Sequence, residues 1–323
     1  NAGDQPKAVT ILKDNKKRAR NEQLSSSYGS IDNGLARVYR KLGQYPICRD
    51  HAMKALDSYR ENGDWLGMAE AYREIANSYH QEGDSESAVA NFQLGIKIIG
   101  ENSAPFMLGK LYTDMSGAYW FLRKPLEGIE CLERSLEFFD ETEHALNSLI
   151  AYGNLGINLI LIGEWQRAEN MLERALEIGL RENYVHVAGL YDSLGELALL
   201  RERFEDAESF LDSALDVAER YNHNWYRLQA MRNRARLYLV TGEPEEATAL
   251  ANETIALAAE AGDKHYSNMA GLVLAESYLA LGDNDLCEEA IEAIEANDAR
   301  SDFFALGSIQ RIKGLLALSD GDN

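Results

Sequence analysis

The chain has 323 residues, 46% of them hydrophobic and 26% charged, the composition of a soluble folded protein. No apolar run approaches the roughly 20 residues that a membrane-spanning helix needs, and no signal peptide opens the chain, so a membrane partner is not expected. A formal net charge of −21 argues against nucleic acid, which draws on clustered Lys and Arg, and fits a solvated surface that keeps an elongated protein in solution.

The elements repeat with a fixed period. Residues 3–24 begin at a turn, Gly3, and supply one helix with Ala8 as its early small residue. A first complete hairpin follows, with Ala36 and Tyr39 on its first helix, a turn at Gly43 and Cys48 on its second. The next has Ala76, Tyr79, Gly83 and Ala88, and the third has Ser116, Tyr119 and Gly128, with Arg123 in place of the turn glycine. Gly156, Leu159, Gly163 and Ala168 make the fourth, and Gly195, Ala198 and Ala207 the fifth. Ala235, Tyr238, Gly242 and Ala247 make the sixth, and Ala275, Tyr278, Gly282 and Cys287 the seventh. Residues 303–318, with Gly314 and Ala317, supply a last first helix. The second-helix markers fall 40 residues apart with a single interval of 39.

A small residue followed three positions later by a large one places both on a single helix face, where one lets the partner helix approach and the other fills the gap. Proline gives a check that is independent of hydrophobicity. It is tolerated in the first helical turn, where its missing N–H would be unpaired anyway, and Pro6, Pro46, Pro125 and Pro244 all fall just after the proposed turn. Breaker clusters at Asn62-Gly63-Asp64, Tyr221-Asn222-His223-Asn224 and Ala261-Gly262-Asp263 separate successive hairpins.

Leu155-Gly156, Leu159, Gly163, Trp165, Ala168, Leu172 and Ala175 together resemble the tetratricopeptide pattern of L-G, an aromatic, A and a later A. The resemblance covers almost the whole chain. It departs from the pattern at Arg234, where an apolar residue is usual, at Arg123, and in a period about six residues longer than the standard 34. The resemblance implies an all-α, tetratricopeptide-type α-α superhelix over residues 3–323, with seven complete or near-complete hairpins and a half repeat at each end. It is closest in style to the long-period arrays of bacterial signalling ATPases, transcription regulators and sensor kinases or cyclases. Asn1-Ala2 reads as a tag remnant, and the expected chain is a piece of a longer protein.

None of the usual catalytic spacings occurs. The histidines at 51, 80, 144, 186, 223 and 265 form no H-E-x-x-H, and G-x-S-x-G, G-x-G-x-x-G and Walker sequences are absent. Cys48, Cys131 and Cys287 stand far apart without a C-x-x-C pair, which points to neither disulfides nor zinc and to a reducing, cytoplasmic setting. Cys48 and Cys287 occupy the small-residue slot inside a hairpin, the place of an inert thiol. The chain is therefore read as a binding protein and not an enzyme, with no cofactor and no metal.

The resemblance also implies a concave groove lined by the first helix of each pair. Its positions in the first two hairpins are Asn33, Arg37, Arg40 and Lys41, then Arg73, Asn77, His80 and Gln81, a basic and amide-rich end on an acidic chain. Such a grouping suits a protein or peptide partner with acidic groups, held by charge-assisted hydrogen bonds. Arg73 and Asn77 resemble half of the family's carboxylate clamp, but Asp114 replaces a further clamp amide, so chaperone tails are not the expected ligand. Later slots are apolar: Trp120-Phe121, Ile160-Leu161, Leu199-Leu200, Leu239-Val240 and Leu279-Ala280. Trp120, beside the basic cluster, is the expected aromatic anchor. Trp65, Tyr184 and Trp225 are expected to clamp linkers. The function expected from this is a peptide-binding sensor or scaffold region of a larger bacterial signalling protein, with a structural self-assembly module as the alternative.

Overall fold

A computed structural model describes residues 5–22, 27–100, 104–139, 143–297 and 303–319. The turn expected at Gly3 and the Asn1-Ala2 pair lie outside them. The helices, in chain order, are α1 (Gln5–Asn21), α2 (Tyr28–Lys41), α3 (Tyr45–Glu61), α4 (Trp65–Glu82), α5 (Ser85–Ile99), α6 (Pro105–Phe121), α7 (Pro125–Phe138) and α8 (Ala145–Leu161). They continue as α9 (Trp165–Arg181), α10 (Ala188–Leu200), α11 (Phe204–Arg220), α12 (Asn224–Thr241), α13 (Pro244–Ala261), α14 (Lys264–Leu281), α15 (Asn284–Ala296) and α16 (Phe303–Ser319). No strand occurs among the described residues. The chain forms two compact units that divide between Ala175 and Leu176, within α9, and each is a stack of helical hairpins.

The turn register has a backbone cause. Gly43, Gly83, Gly163, Gly242 and Gly282 all adopt positive φ, between 71° and 100°, the left-handed conformation that ends a helix. The residue after each donates its N–H back to the carbonyl of the large residue of the register: Gln44 to Tyr39 at 2.9 Å, Asp84 to Tyr79 at 2.9 Å, Glu164 to Leu159 at 3.0 Å and Glu243 to Tyr238 at 2.8 Å. Arg123 and Glu202, at φ 60° and 56°, make the same turn without glycine, so the departure at Arg123 costs strain and leaves the topology intact. Asn183 and Asn222 do likewise between hairpins.

The small residues are where the hairpins close. Cys48, Ala88, Ala168, Ala207, Ala247 and Cys287 are fully buried, as are Ala36, Ala76, Ala235 and Ala275 on the facing helices. A side-chain Cβ on Gly156 would lie 2.5 Å from Leu172 Cγ, so α8 and α9 touch only because that position is bare. Arg234, the other departure, is tolerated because its guanidinium leaves the apolar face, ion-paired with Glu208 and Asp212 of α11 and lying 5.4 Å from the Tyr238 ring centroid.

One buried polar knot fastens α1 to the array. Asp32 of α2 accepts from Lys16 Nζ at 2.6 and 2.5 Å and lies 2.7 Å from His51 Nδ1 of α3. Burial alone would raise its pKa. The His51 and Lys16 interactions outweigh burial and hold it below the ordinary carboxylate value. A depressed folded-state pKa contributes stability above the unfolded value and loses it as pH falls through the folded one. The thermal midpoint of the native chain should therefore drop more steeply between about pH 5 and 3 than that of Asp32→Asn, which at neutral pH should be about 1–3 kcal/mol less stable. Parallel slopes in a calorimetric pH series would refute the assignment.

Candidate functional site

The first helices of the N-terminal unit, α2, α4 and α6, bring a dense ionic cluster together. Glu74 is only 1% exposed, and its two oxygens accept from Arg37 Nε at 3.0 Å and Arg40 Nε at 2.9 Å. Asn33, also buried, donates from Nδ2 to Glu70 Oε2 at 3.4 Å, while its Oδ1 has no partner. One turn along, Asp114 Oδ2 lies 2.7 Å from Arg73 Nε and accepts from Asn77 Nδ2 at 2.9 Å. The residues expected from the sequence thus do meet, but with carboxylates interleaved among them. The partners come from helices roughly one repeat apart, so each pair also ties one hairpin to the next.

Three electrostatic consequences follow. Burial pulls the Arg37 pKa down, but the hydrogen bond and charge of Glu74 more than offset it and the net shift is upward, so this cation is fixed. Burial lowers the His80 pKa against the pull of Asp114, leaving a neutral imidazole whose Nδ1 lies 3.5 Å from Ser85 Oγ. Lys110 of α6 differs from both. It is half-buried, its Nζ lies 5.3 Å from the Phe106 ring centroid, and burial together with Arg73 and Arg37 lowers its pKa while Glu70 and Asp114 act in the other direction. Arg37, Arg40, Arg73 and Lys110 thus face Glu70, Glu74 and Asp114, one positive charge in excess on a chain of net −21.

Sequence reasoning named neither Lys110 nor Glu70 and Glu74, and met Asp114 only as the replacement of a clamp amide. The signal was available: Lys110 and Asp114 stand 40 residues after Glu70 and Glu74, at groove positions of the same register. Trp120 is half-buried, whereas Phe121 is 67% exposed and meets His80 edge-on at 5.0 Å between centroids. The second member of the later apolar pairs is exposed as well, at Leu161, Leu200 and Val240, while Leu159, Leu199 and Leu237 go to the cores.

The C-terminal unit has a polar cluster of its own at corresponding groove positions. Asn233 of α12 donates to Asp192 Oδ1 of α10 at 2.8 Å, and Arg236 donates to Glu196 at 3.0 Å. The expectation that later groove slots are apolar therefore fails here: the apolar slots form one row, and a charged row runs beside it. Nearby, Trp225 stacks edge-on against Tyr226 and Tyr266, and His186 packs 4.6 Å from His223, placing these residues where consecutive hairpins join. Among the described residues no group of three or more His, Cys, Asp or Glu is arranged to hold a metal, and no helix is long and apolar enough to cross a membrane. Burial raises the Cys48 and Cys131 thiols to about 12.

A family model described as tetratricopeptide repeat matches residues 27–99, 108–180 and 186–260, and a second matches 268–293. Among solved structures, the chain is similar to aspartyl phosphate phosphatase F from Bacillus subtilis, at 11% identity over 89% of this chain and 74% of that one, TM-score 0.69. It is also similar to a Rap protein complexed with competence and sporulation factor, at 15% identity over 98% of each chain, TM-score 0.60. A third similar structure is a signal-transduction ATPase with a tetratricopeptide repeat sensor from Pyrococcus horikoshii, at 16% identity over 94% of this chain and 49% of that one, TM-score 0.61. At such identities the likeness is one of fold.

Proposed function

Because this chain belongs to the tetratricopeptide repeat family, whose members serve as protein-interaction scaffolds, we propose that it is the peptide-binding sensor or scaffold region of a bacterial signalling protein. The ligand is a peptide segment carrying an acidic group, held against α2, α4 and α6. Asn33, Arg37, Arg40, Arg73, Asn77 and His80 line the site, Trp120 and Phe121 flank it, and Lys110 receives the acid. The observation that carries this reading is the single excess cation. Arg37, Arg40 and Arg73 each have a carboxylate within 3.0 Å, whereas Lys110 has an aromatic face beneath it and two arginines beside it. A half-buried ammonium in that position, attracted by Glu70 and Asp114 but ion-paired with neither, gains a direct charge-assisted hydrogen bond from a ligand carboxylate. Two of the similar structures, a Rap protein complexed with competence and sporulation factor and a signal-transduction ATPase with a tetratricopeptide repeat sensor, are in keeping with it.

The test is capture of partners from a bacterial lysate, followed by titration of the acidic peptide so identified, on the native chain, Lys110→Ala, Lys110→Glu and Arg37→Glu/Arg73→Glu. Circular dichroism checks that all four are equally helical. Loss of a charge-assisted hydrogen bond is worth about 1.5–3 kcal/mol, so Lys110→Ala should weaken binding by about 10- to 100-fold and Lys110→Glu should abolish it. Unchanged affinity in Lys110→Glu would remove the site from this groove.

A further inference from the structure

Two helices, α1 and α16, expose positions that the complete hairpins cover. On α16, Ala305, Ile309, Ile312 and Leu316 enter the core shared with α14 and α15, and Gly314 and Leu318 lie on the opposite side. Gly314 holds the register position of Gly156 and Gly195. A Cβ at those two glycines would meet Leu172 and Leu211, at 2.5 and 2.9 Å, on the second helix of the same hairpin. At Gly314 an added Cβ would meet nothing within 4 Å, and Leu318 one turn on is 66% exposed. The face of α1 is complementary. Leu12 follows Ala8 at the spacing by which Leu172 follows Ala168 and Leu211 follows Ala207. Leu172 and Leu211 are fully buried, whereas Leu12 is half-buried, packed only against the α2 side. Ile11 is 59% exposed, although Cys131, Met171, Phe210 and Leu250, which correspond to it, are buried or half-buried.

We infer that the chain binds a second copy of itself through a heterologous contact in which α1 of one copy lies along α16 of the other and completes a hairpin with it. Leu12 closes on Gly314, and Ile11 and Leu318 leave water. Charge selects this occupant. A groove of about 400 Å³ between α15 and α16 has Ile291 and Leu316 in its floor and Glu288, Glu292 and Glu295 along its rim. Lys313 pairs with Glu295 at 2.7 Å, and among the described residues Glu288 and Glu292 have no ion-pair partner. The exposed side of α1 carries Lys7, Lys13, Lys17 and Arg18. At a net charge of −21 two copies repel one another in most orientations, and a basic helix set on this acidic groove is an orientation that attracts.

The array already contains the ion pair that such a contact needs. Arg167 of α9 pairs with Glu133 of α7, one second helix to the preceding one. Lys7 stands immediately before Ala8 as Arg167 stands before Ala168, and Glu292 follows Cys287 at the spacing by which Glu133 follows Gly128. The same bridge therefore runs from Lys7 of one copy to Glu292 of the other. Neither α1 nor α16 supplies a residue to the acid-binding groove, so the two surfaces can be tested separately.

Sedimentation equilibrium of the full chain should show a weight-average mass that rises with concentration above the 36.1 kDa of one chain. Raising the salt from about 50 to about 500 mM should weaken association about tenfold or more. Lys7→Glu and Glu292→Lys should each weaken it about tenfold or more, and an equimolar mixture of the two should restore it, because each α1 then finds a groove of opposite sign. Gly314→Trp fills space that is open in the single chain, so helicity, thermal midpoint and peptide binding should stay native while association is lost. A strict monomer from about 1 to about 200 μM at low salt overturns the inference and leaves both faces to a different occupant. Association that survives Gly314→Trp and both charge reversals at native strength overturns it as well, since the copies then meet through another surface.

Discussion

Replacing Glu74 with alanine is expected to lower the unfolding free energy of the N-terminal unit by about 3 kcal/mol, the scale seen when one partner of a buried ion pair is removed. The carboxylate is almost fully buried and serves two guanidinium groups of the preceding hairpin. Arg37 is exposed and turns to water when its partner is lost. Arg40 is mostly covered, so its charge stays desolvated and unpaired, and that is where most of the loss arises. Glu133→Ala is the control: it breaks an ion pair with Arg167 in which both side chains are about 43% exposed, and should cost less than 1 kcal/mol. In urea titrations Glu74→Ala should shift the midpoint without changing the slope. Equal, small effects of both substitutions would mean that the cluster contributes charge to the groove and nothing to the stack.

Phe92→Ala should cost about 4 kcal/mol. Among the described residues Phe92 is the largest side chain with no exposure at all, packed on α5 in a core with Ala69, Ala76, Ala88, Leu108 and Leu111. Three of those neighbours are alanines, which have no side-chain length with which to fill the space, so the cavity persists and the cost stays near the upper part of the usual range. The same experiment at Leu211, which holds the corresponding place in the C-terminal unit, should give a smaller loss because less volume is removed. A Phe92→Ala variant within 1 kcal/mol of the native chain in denaturant titration would show that the hairpins close over the gap.

Phe92 also marks how far the sequence carries. The period, the turns and the small-residue contacts were visible because each repeats at one phase and has a chemical cause: Gly83 needs positive φ, Ala76 and Ala88 need to be small, and Pro125 needs the first turn. Even Arg123, which breaks the glycine pattern, was placed correctly by its neighbours. The groove was half legible. Asn33, Arg37, Arg73 and Asn77 could be found by phase, but their partners stand 37 to 41 residues away, and no local spacing reveals which acid faces which base. Lys110 was hidden for that reason: what distinguishes it is that Glu70 and Asp114 act on it without pairing directly with it, a property of the packed helices. Asp192 was hidden more deeply, since its setting depends on full burial and on the Asn233 amide that the packing of α12 brings to it. Trp120 and Phe121 are adjacent in sequence, and only the turn of α6 decides which one meets solvent.

The buried cysteines have a practical corollary. Cys48, Cys131 and Cys287 are each no more than 6% exposed, and burial raises the pKa of all three thiols, to about 12 for Cys48 and Cys131. A maleimide reacts through the thiolate and needs access to it, so the folded native chain offers almost nothing to label. A single cysteine introduced at an exposed groove-rim position such as Phe121 would then take a fluorophore alone, with the three native residues left in place. The protein thereby comes with a silent background for spectroscopy, and arrival of a ligand beside the label would be read directly from its emission.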